Sequence, residues 1–225
     1  MFHALFQLVA IGNAGSGKTS LIKHFCESKF IPGYQPTVGV DYGFKIHKVA
    51  DLEGIIIVYF VSITVRVHLW DLSGNTEYLD VRNELYGTTD AVFLMYDVTN
   101  QMSFDSLELW LRELSSYCNS HPDVFLVAHK VSIYKTIVLL CPTDGTDCPK
   151  HNRVISTGEG KKWASQHKLK YYETSAATGE GIEKMISDLL SEVILKRQPV
   201  TGKDSVLSST VTSTTLRSKS AFQMR

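Results

Sequence analysis

The 225-residue sequence is poor in what would place it outside the cell or in a membrane. It has only four cysteines, Cys26, Cys118, Cys141 and Cys148, and their spacing gives no disulfide framework. The apolar start, Met1 to Ile11, lacks a basic flank and a small-residue cleavage site, so it reads as a first strand rather than a signal peptide. No apolar run reaches membrane-spanning length. Excess charge is absent too: 23 Lys and Arg balance 23 Asp and Glu, so nothing argues for bulk nucleic-acid or polybasic membrane binding. No nucleic-acid partner is expected, and the expected compartment is cytosolic or nuclear. With 44 % hydrophobic residues the chain can build a core, and its length suits one domain plus a tail. The expected domain runs over 1–197. From 198 to 225 the chain is Ser/Thr-rich with little to bury, and disorder is expected there.

One stretch organises the rest: Gly12-Asn13-Ala14-Gly15-Ser16-Gly17-Lys18-Thr19, which matches G-x-x-x-x-G-K-[ST]. A buried strand, Phe6 to Ile11, precedes it. Leu21, Ile22 and Phe25 follow at helical spacing. Gly15 and Gly17 let main-chain N–H groups curl round a phosphate, and the helix adds its N-terminal dipole to the same point. Lys18 then supplies a point charge for the β- and γ-phosphates, and Thr19 a hydroxyl for Mg²⁺. This loop implies a nucleoside triphosphate and leaves its base open.

Downstream, Phe30 to Gly39 carries two prolines and two glycines and reads as an exposed loop. Its Thr37 is either a second Mg²⁺ hydroxyl or an ordinary turn residue. Val40 to Val49 reads as an irregular strand, Asp51-Leu52-Glu53-Gly54 as a hairpin turn, and Thr64 to Trp70 as the next strand, capped by Asp71-Leu72-Ser73-Gly74. At the strand end, Asp71 is placed to hold Mg²⁺ through water. Gly74 lets the backbone approach a γ-phosphate and move when it leaves. Ala91 to Asp97 and Val124 to Ala128 are continuous apolar runs, as buried parallel strands require. Ser103 is the expected N-cap of a helix whose face is Phe104, Leu107, Leu111 and Leu114. Ser156 and Glu159 spell a capping box, Lys170 to Glu173 a short strand, and Ile182 to Val193 an amphipathic helix. The alternation predicts a three-layer α/β fold, the P-loop NTPase fold, with a mainly parallel six-stranded sheet flanked by helices. Its ligand is expected at the carboxyl ends of the strands.

With G-N-A-G-S-G-K-T, Y-Q-P-T-V-G, W-D-L-S-G and E-T-S-A in order, the chain resembles a Ras-superfamily small GTPase of the Rab branch. Val40-Asp41-Tyr42-Gly43, Val81 to Tyr86, Ser103 to Leu107, Lys150 to Arg153 and Glu173 to Ile182 are similar to the RabJ group, Rab-like GTPases with a C-terminal DnaJ domain. The resemblance implies that Asn13 to Ser20, with Gly17 and Lys18 on the phosphates, bind nucleotide, and that Thr19, Thr37 and Asp71 serve Mg²⁺. It further implies that Phe30 packs on guanine, Tyr34 lids the γ-phosphate and Ser175-Ala176 supports the base. Partners are then GTP and GDP, with effectors and regulators read through the Thr37 and Gly74 loops on a monomer. Signalling or trafficking roles, including nuclear ones, follow from resemblance alone.

Several departures qualify it. Asn75 stands where most Rab proteins place a glutamine that orients the attacking water. It is one methylene shorter, so hydrolysis, with Asn75 and Gly74 as the candidate catalytic positions, is expected to be slow. The base-reading motif is broken: His129-Lys130 is separated from Thr146-Asp147 by an insertion over 131–145. Lys130 and Asp147 are the candidate base-binding pair, with Asp144 a rival for the acceptor role. A second apolar insertion covers 55–63. Both sit at motif edges, a pattern that translated intron sequence would leave. His121-Pro122-Asp123 spells the J-domain tripeptide, but in a loop before a strand. The J domain itself and a C-terminal prenylatable cysteine are not found, so no prenyl anchor is expected. Cys141, Cys148 and His151 form only a poor zinc set, and His68, His129 and His167 read as surface or satisfied groups. The leading reading is a Mg²⁺-dependent GTP switch. The alternatives are a non-hydrolysing nucleotide-bound scaffold and a mis-spliced, weakly binding product.

Overall fold

A computed structural model describes residues 4–33, 35–49, 63–118, 121–131 and 153–197. Tyr34, the hairpin turn over 51–54, Asp144, Asp147, Cys141, Cys148, His151, the tail over 198–225 and most of both insertions lie outside the described residues.

The described elements are β1 (Ala4–Ile11), α1 (Lys18–Glu27), β2 (Val40–Val49), β3 (Ile63–Leu72), a 3₁₀ turn (Thr76–Tyr78), α2 (Leu79–Tyr86), β4 (Ala91–Asp97), α3 (Gln101–Asp105), α4 (Leu107–Tyr117), β5 (Asp123–His129), α5 (Thr157–Gln166), β6 (Lys170–Thr174) and α6 (Ile182–Arg197). Six strands form one sheet in the order β2-β3-β1-β4-β5-β6. Only β2–β3 is antiparallel. The other pairs are parallel, with Leu8 opposite both Leu69 and Ala91.

Strand alternation builds the two core layers. On β1, Phe6, Leu8 and Ala10 face the layer of α1 and α6 with Phe25, Ile186 and Leu190. Val9 and Ile11 face the opposite layer, with Tyr86, Trp110, Leu114 and Ala164. Every residue of β4 is buried, because helices cover both faces. β2 is an edge strand whose Tyr42, Phe44 and Ile46 are exposed. The chain passes from β1 to β3 on one side and reaches β4 on the other, so a crevice opens at the carboxyl ends of these strands.

Three local expectations are revised. Ser103 is not the helix cap. Asn100 is, its side chain accepting the Ser103 N–H, because the chain turns three residues earlier. The Ser103 hydroxyl is buried and donates to the Asn100 carbonyl at 2.7 Å. The expected single helix is broken at Ser106 into α3 and α4. β3 continues through Asp71 and Leu72, so these residues belong to the strand and not to a capping turn. The capping box is present: Ser156 and Glu159 bond each other reciprocally. His121-Pro122-Asp123 leads directly into β5.

Candidate functional site

The loop between β1 and α1 turns because Gly17 sits at φ 96°, left-handed backbone that glycine alone adopts freely. A Cβ there would also stand 2.3 Å from the His129 ring. Above it opens a cleft of about 680 Å³, lined by Ala14, Gly15, Gly17, Lys18, Thr19 and Ser20 on one wall. Phe30, Pro32, Thr37 and Val38 come from the next loop, Ser73 and Gly74 from just after β3, His129 and Lys130 from the end of β5 and the residue after it, and Ser175 and Ala176 from just after β6. The volume falls in the range of small-molecule sites.

Lys18 is 5 % exposed, and its ammonium donates to the carbonyls of Gly12 at 2.8 Å and Asn13 at 3.1 Å. Burial pushes its pKa down to about 8, with the Asp71 charge opposing and Arg82 adding to the fall. Next to it the Thr19 and Thr37 hydroxyls lie 3.0 Å apart. Both donate to Asp71 Oδ2, at 2.5 and 3.0 Å. Burial raises the Asp71 pKa, against the hydrogen bond from Thr19 and the charge of Lys18.

These groups fit Mg²⁺. The ion takes oxygen ligands at about 2.0–2.1 Å in an octahedron, whose neighbouring corners are about 3 Å apart. The two hydroxyls have that separation. Asp71 Oδ1 is buried with no hydrogen-bond partner among the described residues, as is the Ser16 hydroxyl of the phosphate loop. Among the described residues no cluster of three His, Cys, Asp or Glu side chains could hold a metal. Among the described residues the cation site suggested is this one, built from hydroxyls and one carboxylate.

Other expected residues fall differently. Asn13 turns its side chain away from the cleft, accepting from Trp110 Nε1 at 2.7 Å and donating to Ser106 Oγ at 3.1 Å. What it gives the loop is its carbonyl. Asn75 is not part of the cleft wall. It opens the 3₁₀ turn, and its carbonyl accepts from Arg82 at 2.6 Å. Phe30 lines the cleft and is 44 % exposed, leaving its ring free to meet a flat ligand. Lys130 reaches the cleft with φ 69° and its ammonium 2.6 Å from Asp97 Oδ2. Ser175 and Ala176 are buried in the floor.

His129, expected to be a surface or satisfied group, is satisfied and also lines the cleft. It is 2 % exposed, with Nδ1 2.8 Å from the Thr174 hydroxyl and the ring against Gly17. Burial, then the Lys130 charge, hold its pKa down near 3, so the ring is neutral. Its position one residue before Lys130, at the end of a buried strand, was the available signal.

The Ras family model matches residues 7–195. Among curated proteins, the chain is 35 % identical over 188 residues to DnaJ homolog subfamily C member 27 of Gallus gallus. It is 34 % identical to the proteins of that name from Homo sapiens and Rattus norvegicus. In each case the match covers 84 % of this chain and 61 % of the relative, so the chain spans about three-fifths of their length. The family-model match over most of the chain, on a sheet of this order with Thr19, Thr37 and Asp71 meeting beside Lys18, shows that the chain belongs to the Ras family, with its relatives in the RabJ-like group.

Proposed function

We propose that this domain is a guanine-nucleotide switch that takes up GTP with Mg²⁺ and hydrolyses it slowly. The observation that carries this reading is the meeting of Thr19, Thr37 and Asp71 beside buried Lys18 at one end of the cleft. Lys18 and the main-chain N–H groups of residues 14–19 bind the phosphates. Thr19 and Thr37 would ligate Mg²⁺, and Asp71 would hold it through water. The ion supplies charge neutralisation on the β- and γ-phosphate oxygens. Phe30 and Lys130 flank the base, the Ser175–Ala176 main chain supports it, and Asp147 is the candidate acceptor for the guanine N1–H and N2–H. Effectors and regulators read the Thr37 and Gly74 loops, in the cytosol or nucleus.

A second reading, a scaffold that keeps its nucleotide unhydrolysed, is favoured by Asn75. Its side chain is short, its carbonyl is tied to Arg82, and it stands outside the cleft wall. Thermal-shift titration with GTP, GDP and ATP, with and without Mg²⁺, tests the switch. Both guanine nucleotides should stabilise the protein in Mg²⁺, ATP should do so less, and Lys18→Ala should abolish the shift. No shift with any of them overturns the reading. Single-turnover GTP hydrolysis at an ordinary Rab rate rejects slow chemistry, and none at all supports the scaffold.

A further inference from the structure

Behind the cleft, a buried cation holds the chain on both sides of Gly74. Arg82 on α2 is 2 % exposed. Its Nε and Nη2 donate to the two oxygens of Glu113 on α4, at 2.7 and 2.9 Å. Its Nη1 donates to the carbonyls of Ser73 at 3.0 Å and Asn75 at 2.6 Å. A guanidinium has five N–H donors in a rigid fork, so these four bonds nearly exhaust it. The Tyr86 hydroxyl steadies Glu113, donating to Oε1 at 2.6 Å.

The same guanidinium lies 4.9 Å above the Trp110 ring. Trp110 in turn donates to the Asn13 side chain of the phosphate loop at 2.7 Å. A closed circuit therefore runs from the phosphate loop through α4 and Arg82 to the main chain after β3. Gly74 sits between the two clamped carbonyls. A Cβ on it would stand 2.2 Å from the Ala14 nitrogen and 2.5 Å from the Asn13 carbonyl carbon, so its backbone is pressed onto the phosphate loop.

We propose that Arg82, steadied by Glu113 and Trp110, is a positioning residue that presets Gly74 for the terminal phosphate of a nucleoside triphosphate. This rests on the nucleotide-switch reading above. A loop that a ligand must order charges its ordering entropy to the binding step. Arg82 orders this loop beforehand. A diphosphate lacks the terminal phosphate that Gly74 would meet, so only the triphosphate would gain. If Arg82 merely fastened α2 to α4, its loss would lower stability and affect both nucleotides alike.

The test compares GDP with a non-hydrolysable GTP analogue in Mg²⁺, by displacement of a fluorescent nucleotide from the wild type, Arg82→Met, Arg82→Lys and Glu113→Gln. Arg82→Met should lower the triphosphate-to-diphosphate affinity ratio about tenfold, the scale of one lost charge-assisted hydrogen bond. Arg82→Lys, which can reach one carbonyl, should recover part of it. Glu113→Gln should lower the ratio less than Arg82→Met, and it carries the test if Arg82→Met does not fold. Tryptophan emission should differ between the two nucleotides in the wild type, and Trp110→Phe should remove the difference. An unchanged ratio in Arg82→Met and Glu113→Gln, or an equal loss for both nucleotides, overturns the proposal. Wild-type protein that takes up neither nucleotide sinks the switch reading and this one together, whereas wild-type uptake with equal losses sinks only this one.

Discussion

Burial lowers the pKa of both Lys18 and His129, leaving the first charged and the second neutral near pH 7, and each makes a prediction. Lys18 normally titrates near 10.5 and here near 8, because burial disfavours its charge. Between those values the unfolded chain holds a proton that the folded one has lost, so this lysine makes the free protein more stable as pH rises through the window. Binding runs the other way, since phosphate needs the cation. Above about pH 8, nucleotide uptake should draw in a proton, and affinity should fall by up to about tenfold per pH unit. Calorimetry in two buffers of different ionisation heat measures that proton. Lys18→Arg should remove the slope, because a guanidinium does not titrate. His129 is held near 3 instead of 6.5, by burial first and the Lys130 charge second. The unfolded chain binds its proton below 6.5 and the folded one does not, so stability is lost as pH falls through that window, by up to about 1.4 kcal/mol per unit. Unfolding midpoints between pH 4 and 7 should drop more steeply for the wild type than for His129→Asn. Equal slopes would show that the imidazole is not what titrates. The phosphate-loop lysine was legible from its motif. The histidine was not, because its type is common on surfaces and only the fold places it against Gly17.

At the scale of elements, close approach decides which substitutions are tolerated. Gly160 on α5 is buried where the helix crosses the sheet. A Cβ there would meet the Tyr96 hydroxyl at 2.4 Å and the Tyr171 ring at 2.7 Å. Alanine gains about 1 kcal/mol of helix propensity over glycine. Overpacking against two rigid rings costs about 1–3 kcal/mol. Gly160→Ala should therefore destabilise by up to about 2 kcal/mol in urea unfolding, and a stabilised protein would show that α5 can lift off the sheet. Strand and helix identities were largely legible here. Continuous apolar runs mark β1, β4 and β5, helical periodicity marks α6, and the Ser156–Glu159 box marks the start of α5. The break at Ser106 was not, since Phe104, Leu107, Leu111 and Leu114 keep helical spacing across it. Nor was Asn100 as the cap, because Asn100 and Ser103 are both good capping types and only the turn geometry chooses between them.

At the scale of the whole molecule, the strand order brings residues far apart in the chain to one crevice. Thr19, Thr37 and Asp71 meet there although 52 positions separate the first from the last. A ligand that bridges these segments binds only the folded state. At one hundred times its Kd it should add about 2.7 kcal/mol of stability. For a domain of this size that is a midpoint rise of roughly 5–11 °C, and this is the scale to look for in the nucleotide titrations. The sequence by itself determined the phosphate loop, the apolar strands and the family, because a local motif, an unbroken apolar run and a helical repeat can be read along the chain. Only the tertiary structure decided that Asn13 looks to α4, that Asn75 stands outside the cleft wall and that Arg82 grips both sides of Gly74. Those contacts join residues on different elements, and their direction is fixed by how the helices pack on the sheet, which no spacing along one chain records.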